Sequence, residues 1–295
     1  MLIQGISRKS TARIKNVALP VIMITISALM LVPFFVMITT AFKTSAEVNS
    51  EVFVWLPSKF NFDNFQKVFQ RGNWARYFFN SVFVTTVVTV VSLTINSLAG
   101  YSFARINFKY KNALFLLLMV GLLVPPQILM IPVFILIKSV PLAGGNNIFG
   151  QGGTGWINSY QALMMPHLAG AFGIFLCRQF YLNFPKSLDE AAEIEGCSKA
   201  GIFFRIFLPL SKPLLASLGV IKMTGIWNDY IWPLVVTNTE DYKTVQLALA
   251  SFKNELIEWQ TLMAATVVVT IPLIIVFLFA QKYFVAGMVT SGIKG

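Results

Sequence analysis

The stretch from Asp189 to Pro213 reads D-E-A-A-E-I-E-G-C-S-K-A-G-I-F-F-R-I-F-L-P-L-S-K-P and lies between two long apolar runs. Ser187, three residues ahead of Glu190, predicts a capping box that starts a helix. Asp189, Glu190 and Glu193 fall in or near its first turn, where the helix dipole favours acids. Gly196 suits the position just past the helix end, where positive φ is needed. A second short helix is expected from about Ser198 to Phe207, with Pro209 stopping it. The stretch therefore reads as a helix-turn-helix that leaves a membrane for an aqueous phase and offers itself to a soluble partner.

The membrane follows from composition. Of 295 residues, 56% are hydrophobic and 12% charged, whereas a soluble domain carries roughly 25% charge. Six apolar runs are long enough to span a bilayer: about 17–42, 79–103, 113–137, 161–182, 214–236 and 261–284. The first is longer than the apolar core of a cleaved signal, so it reads as a span. The third carries Pro125, Pro126 and Pro132; such a break is either a kink or the flank of a transport path. The expected fold is an all-α membrane protein with six transmembrane helices. It divides into an N-terminal segment 1–16, a span region 17–284 containing a loop 183–213, and a tail 285–295.

Net charge is +11, and its distribution argues for a membrane topology rather than a nucleic-acid partner. Lys and Arg number fourteen on the side holding both termini and the 183–213 loop, and eight on the other. Positive charge marks the cytoplasmic face, so both termini and that loop are expected there. Trp74, Trp156 and Trp259 each precede a span that starts outside, as in an interfacial aromatic belt. The Gly/Asn-rich run 144–155 matches no phosphate-binding pattern and reads as a flexible outer loop of open role. Cys177 and Cys197 read as free thiols.

No phosphate loop, H-E-x-x-H or C-x-x-C occurs, so no catalytic residue and no metal ligand set is assigned. His167, the lone histidine, reads as a helix-packing hydrogen-bonding group. Lys222 lies ten residues, roughly 15 Å, along a helix from Lys212, a depth at which a charge needs water or a partner. Asp229, seven residues further, is expected on the same helical face. The two either contact a neighbouring chain or line a path for a polar solute.

Glu190-Ala191-Ala192, three residues, Gly196, nine residues, Ile206, one residue, Leu208-Pro209, three residues, Pro213 resembles the EAA loop of the membrane subunits of binding-protein-dependent ABC importers. Trp227-Asn228-Asp229-Tyr230 with Trp232-Pro233-Leu234 resembles a segment of the carbohydrate branch. So does Arg105 after Gly100-Tyr101-Ser102-Phe103-Ala104, and so does the tail Gln281 to Gly295, which is similar to that of the smaller maltose-transporter-like permease. The resemblance implies a bacterial-type inner-membrane permease for a sugar or oligosaccharide. Its implied partners are a second homologous permease, two ATPase subunits that bind ATP and Mg, and an extracytoplasmic solute-binding protein. Glu190, Ala191, Ala192, Glu193, Gly196 and Pro209 are implied in ATPase coupling; Lys222, Trp227, Asn228 and Asp229 are candidates for the substrate path. An importer for another solute and a stand-alone secondary transporter or channel are the rival readings.

Overall fold

The computed structural model describes residues 8–252 and 258–291, with side chains described for 18–252 and 258–281. All regular structure among the described residues is helical. Two compact units are distinguished: the described residues up to Gly72 with Phe252–Val268, and Asn73–Ser251 with the described residues from Val269.

The first unit opens with α1, Arg8–Ala41. The basic residues from Arg8 onward are thus already helical and continuous with the first span. The face of α1 from Leu19 to Phe35 is exposed apolar surface, as a lipid-facing helix requires. After Ala41 the buried Asn64 amide donates to the carbonyls of Ala41 (2.9 Å) and Lys43 (2.8 Å), closing the turn. α2, Ser45–Val48, is opened by a capping box between Thr44 and Glu47. Bonds from Ser58 and Thr44 hold the Glu47 carboxyl down at about 2. α3, Asp63–Gln70, presents Lys67 to Glu258 at 3.3 Å.

The second unit is built on α4, Trp74–Arg105, capped by Asn73, whose side chain accepts from the Arg76 N–H. It starts earlier than the expected Phe79, because Asn73 supplies the cap. Trp74 itself is 2% exposed and packs on Tyr77 and Phe78; it does not stand outward in a belt. α5, Lys111–Leu123, and α6, Pro126–Lys138, meet at 107°. That is a turn, not a kink: Pro125 and Pro126 cannot donate to the ladder and Val124 is held extended by the proline that follows. α7, Tyr160–Met164, continues through a 3-10 turn, Met165–His167, and bends 42° into α8, Ala171–Leu182. α4 and α8 approach closely at glycines. A Cβ at Gly100 would overlap Cys177, and one at Gly173 would overlap Asn96.

α9, Ser187–Ile194, and α10, Lys199–Ile202, form the helix-turn-helix. A π-type turn, Phe203–Phe207, leads into α11, Leu208–Leu210. The chain then bends 76° at Ser211 into α12, Lys212–Trp227. Pro209 therefore does not end the helix. It sits at the start of a new turn, where its missing N–H is not needed. α13, Ile231–Val236, and α14, Val245–Ser251, follow. α15, Trp259–Ser291, passes through residue 284 without a break, so residues 285–291 extend the last helix. Among the described residues three helices are long and apolar enough to cross a membrane, Ala18–Ala41, Trp74–Arg105 and Trp259–Gln281, and up to six segments are if each bent pair is one span.

The Gly/Asn run is ordered by its own hydrogen bonds rather than flexible. The Asn146 amide donates to the carbonyls of Lys138 (2.8 Å) and Val140 (2.9 Å) and accepts from Gly153 N–H (2.8 Å). Thr154 N–H reaches the Gly144 carbonyl and Trp156 N–H the Ile137 carbonyl.

Candidate functional site

α9 begins one residue earlier than its sequence suggests. The Pro185 carbonyl already accepts from Leu188 N–H, and Lys186 has helical dihedrals. Ser187 is thereby drawn inside the helix, and the expected capping box does not form. Past Glu195 the chain turns on Gly196, φ +80°. Gly196 N–H bonds the Glu193 carbonyl (3.0 Å) and Cys197 N–H the Ala192 carbonyl (2.9 Å), the paired closure of a Schellman end. Ser198 then caps α10, its hydroxyl accepting from Gly201 N–H at 3.1 Å.

The hairpin rests on an aromatic core. Ile202, Phe203 and Phe207 are at most 2% exposed and pack with Tyr101, Tyr181 and Ala192. Ala192 is thus part of the chain's own core, whereas Ala191, Glu190, Glu195 and Gly196 are exposed. Ile194 stands 88% exposed at the end of α9, an outward apolar side chain that the sequence reading missed. Its signal was an isoleucine amid acids, out of phase with the buried Ala192. Glu193 and Lys199 form an exposed ion pair.

Arg105, the last residue of α4, lies under this hairpin. Its Nη2 donates to the carbonyls of Tyr181 (2.7 Å) and Phe184 (2.5 Å), its Nη1 lies 3.1 Å from Asp189 Oδ2, and its guanidinium covers the Phe207 ring at 5.1 Å. The Arg105 side chain is 7% exposed and that of Asp189 14%. Burial pushes the Asp189 carboxyl above its ordinary value, and the Arg105 charge opposes that push. One turn back, the Tyr101 hydroxyl donates to the Lys199 carbonyl at 3.2 Å.

The second set of candidates does not form one surface. α12 ends at Trp227, so Lys222 and Asp229 are not carried on one continuous helix. Asp229 accepts from Trp232 N–H (3.3 Å) and lies 3.3 Å from His167 Nε2. Two helix breaks therefore face each other through a His–Asp pair. Trp227 is buried, its indole donating to the Val269 carbonyl at 3.3 Å. Asn228 is exposed and accepts from Gln246 at 3.1 Å. Lys222 is half-buried, with no carboxylate at ion-pair distance among the described residues. No group of three His, Cys, Asp or Glu able to hold a metal occurs among the described residues.

The described residues form long apolar helices, three bent helix pairs and a capped helical hairpin. The model of the family of binding-protein-dependent transport system inner membrane components matches residues 96–290, and the chain belongs to that family. It is 35% identical over 267 residues to the arabinooligosaccharides transport system permease protein AraQ of Halalkalibacterium halodurans, covering 89% of this chain and 91% of that one. It is 35% identical over 231 residues to the lactose transport system permease protein LacG of Rhizobium radiobacter, covering 78% and 80%. Its fold resembles a chain of a bacterial ABC transporter involved in the import of the acidic polysaccharide alginate, with TM-score 0.76 and 22% identity over 95% of this chain and 99% of that one.

Proposed function

We propose that this chain is one of two permeases of an importer that carries an oligosaccharide into the cytoplasm. The names of its relatives support a sugar cargo: arabinooligosaccharides, lactose, and melibiose, raffinose or stachyose. The chain crosses the bacterial cytoplasmic membrane six times, both termini inside, with a core of 17–284 between the segments 1–16 and 285–295. Two ATPase subunits hold ATP and Mg and drive the cycle, and an extracytoplasmic solute-binding protein delivers the cargo.

The observation that carries the coupling role is the surface of α9. It offers Glu190, Ala191, Ile194 and Gly196 outward from a solid aromatic base. Glu190 meets a cation of the ATPase, Ala191 and Gly196 allow close approach, and Ile194 fills an apolar pocket. Ala192 and Pro209 act from within, packing the hairpin and starting α11. Lys222, Asn228 and Asp229 border the cargo path, and Trp227 braces it from its buried position.

The test is co-purification of the ATPase subunits with wild type, Glu190→Ala and Gly196→Asp, beside uptake of labelled oligosaccharide. A Cβ at Gly196 meets nothing within 4 Å, so the variant keeps its fold while losing both the ATPase and uptake. Full ATPase retention with wild-type uptake in Gly196→Asp overturns the coupling role. Labelling the half-exposed Cys197 from each face of the membrane, against a cysteine placed at Asn147 in a Cys197→Ser background, tests the topology.

A further inference from the structure

α4 is gripped at both ends by segments distant in sequence. At its C-terminal end, Arg105 holds the last turn of α8 and Asp189 of α9, and Tyr101 holds the start of α10. At its N-terminal end, the fully buried Asn80 donates to the carbonyls of Asp241 (2.9 Å) and Lys243 (2.8 Å) and accepts from the Tyr160 hydroxyl (2.7 Å). Arg76 Nε donates to the Asp241 carbonyl (2.9 Å), and the Ser81 hydroxyl accepts from Val245 N–H (2.9 Å). The 240–245 segment is thus tied to α4 by side chains of three helix residues that contact nothing of the hairpin.

Between Asn80 and Arg105 the helix is unbroken and measures roughly 38 Å. It contains no proline and is the longest uninterrupted helix of its unit, whereas α5–α6, α7–α8 and α11–α12 are all bent. A displacement applied at a bent pair is absorbed at the bend, but one applied to α4 arrives at the far end. The guanidinium suits the near grip because its rigid planar fork fixes the directions of its bonds to two carbonyls and one carboxylate, whereas a lysine's three donors spread from a single point charge on a flexible stem.

From this we infer that α4 is the connecting rod of the subunit: Arg105 couples it to the α9–α10 hairpin and Asn80 couples it to the 240–245 segment on the opposite side. The inference rests on the proposal that the hairpin receives the ATPase stroke. Arg105, Asp189 and Asn80 are positioning residues, acting through the protein segments they hold.

The experiment measures cargo transported per ATP hydrolysed in the complete complex with its binding protein. Arg105→Lys and Asp189→Asn keep the ATPase subunits bound, hydrolysis stays within about twofold of wild type, and transport per ATP falls at least tenfold. Asp189→Glu, which keeps the charge, recovers at least half of the wild-type ratio. Asn80→Ala also lowers the ratio, and Tyr160→Phe, which removes only the hydroxyl on Asn80, serves if Asn80→Ala does not accumulate. The double variant with Arg105→Lys is no worse than the poorer single, because both act on one path. The rod is overturned if the two losses multiply, if Arg105→Lys transports at the wild-type ratio, or if Arg105→Lys and Asp189→Asn both fail to assemble. Should Glu190→Ala and Gly196→Asp keep full ATPase binding and uptake, the coupling reading itself fails; should they lose both while Arg105→Lys stays fully coupled, only the rod fails.

Discussion

Two loops of the second unit turn on glycines of positive φ, and they use them in opposite ways. In the α9–α10 hairpin, Gly196 stands in the open: an added Cβ meets no atom within 4 Å. In the 139–159 loop, Gly144, Gly150 and Gly155 also have positive φ, but a Cβ on each would run into backbone of the same loop or of α6. The hairpin glycine leaves a surface bare, and these three loop glycines let backbone lie on backbone, although Gly152 of the same loop is as open as Gly196 and Gly145 nearly so. One turn ends in an open surface; the other closes on its own backbone at these three glycines.

The largest expected effect comes from Gly155→Ala, where the new methyl meets the carbonyls of Lys138 and Ile137. Left-handed strain and overpacking add up to a cost on the order of 3 kcal/mol. Thermal unfolding of the detergent-purified chain should show it, together with new protease cleavage between residues 138 and 160. Gly196→Ala is the counterpart: it carries only the backbone strain, about 1 kcal/mol. Equal losses of melting temperature in the two variants would erase the distinction between a packed and an open glycine. The smallest effect belongs to Glu193→Ala, which removes an exposed ion pair with Lys199. Such pairs contribute about 0–1 kcal/mol and are screened by salt. A stability change that is larger than that of Gly196→Ala at low salt and vanishes at high salt would show the hairpin to be held by its surface charges rather than by its aromatic core.

The hairpin was legible in the sequence because its determinants are local: Gly196, the Ser198 cap and the spacing of the apolar side chains all act within a few residues. Its start was misread for a local reason too, since Pro185 opens the turn before Ser187 can cap it. Its anchor was not legible. Arg105 stands out as a charge at the end of a span and as part of the resemblance at residues 100–105, but nothing in the chain announces that it meets Asp189. The end of α12 was hidden in the same way. No glycine or proline interrupts residues 228–230; the break rests on Asp229, which bonds Trp232 and faces His167. The Gly/Asn loop looked flexible because Asn146 finds its partners in carbonyls at and beyond the end of α6, a match that composition does not reveal.

The bent pairs bear on how the chain enters its membrane. A half-helix of thirteen residues, such as α5 or α6, reaches about 20 Å, short of the ~30 Å hydrocarbon core. Its open backbone end has no bonding partner in lipid and must be covered by protein or water. The unbroken helices Ala18–Ala41, Trp74–Arg105 and Trp259–Gln281 leave far fewer backbone groups open, those freed by Pro33 and Pro272 among them. The expected order of insertion is that unbroken helices partition first and each bent pair settles once a neighbour shelters its joint.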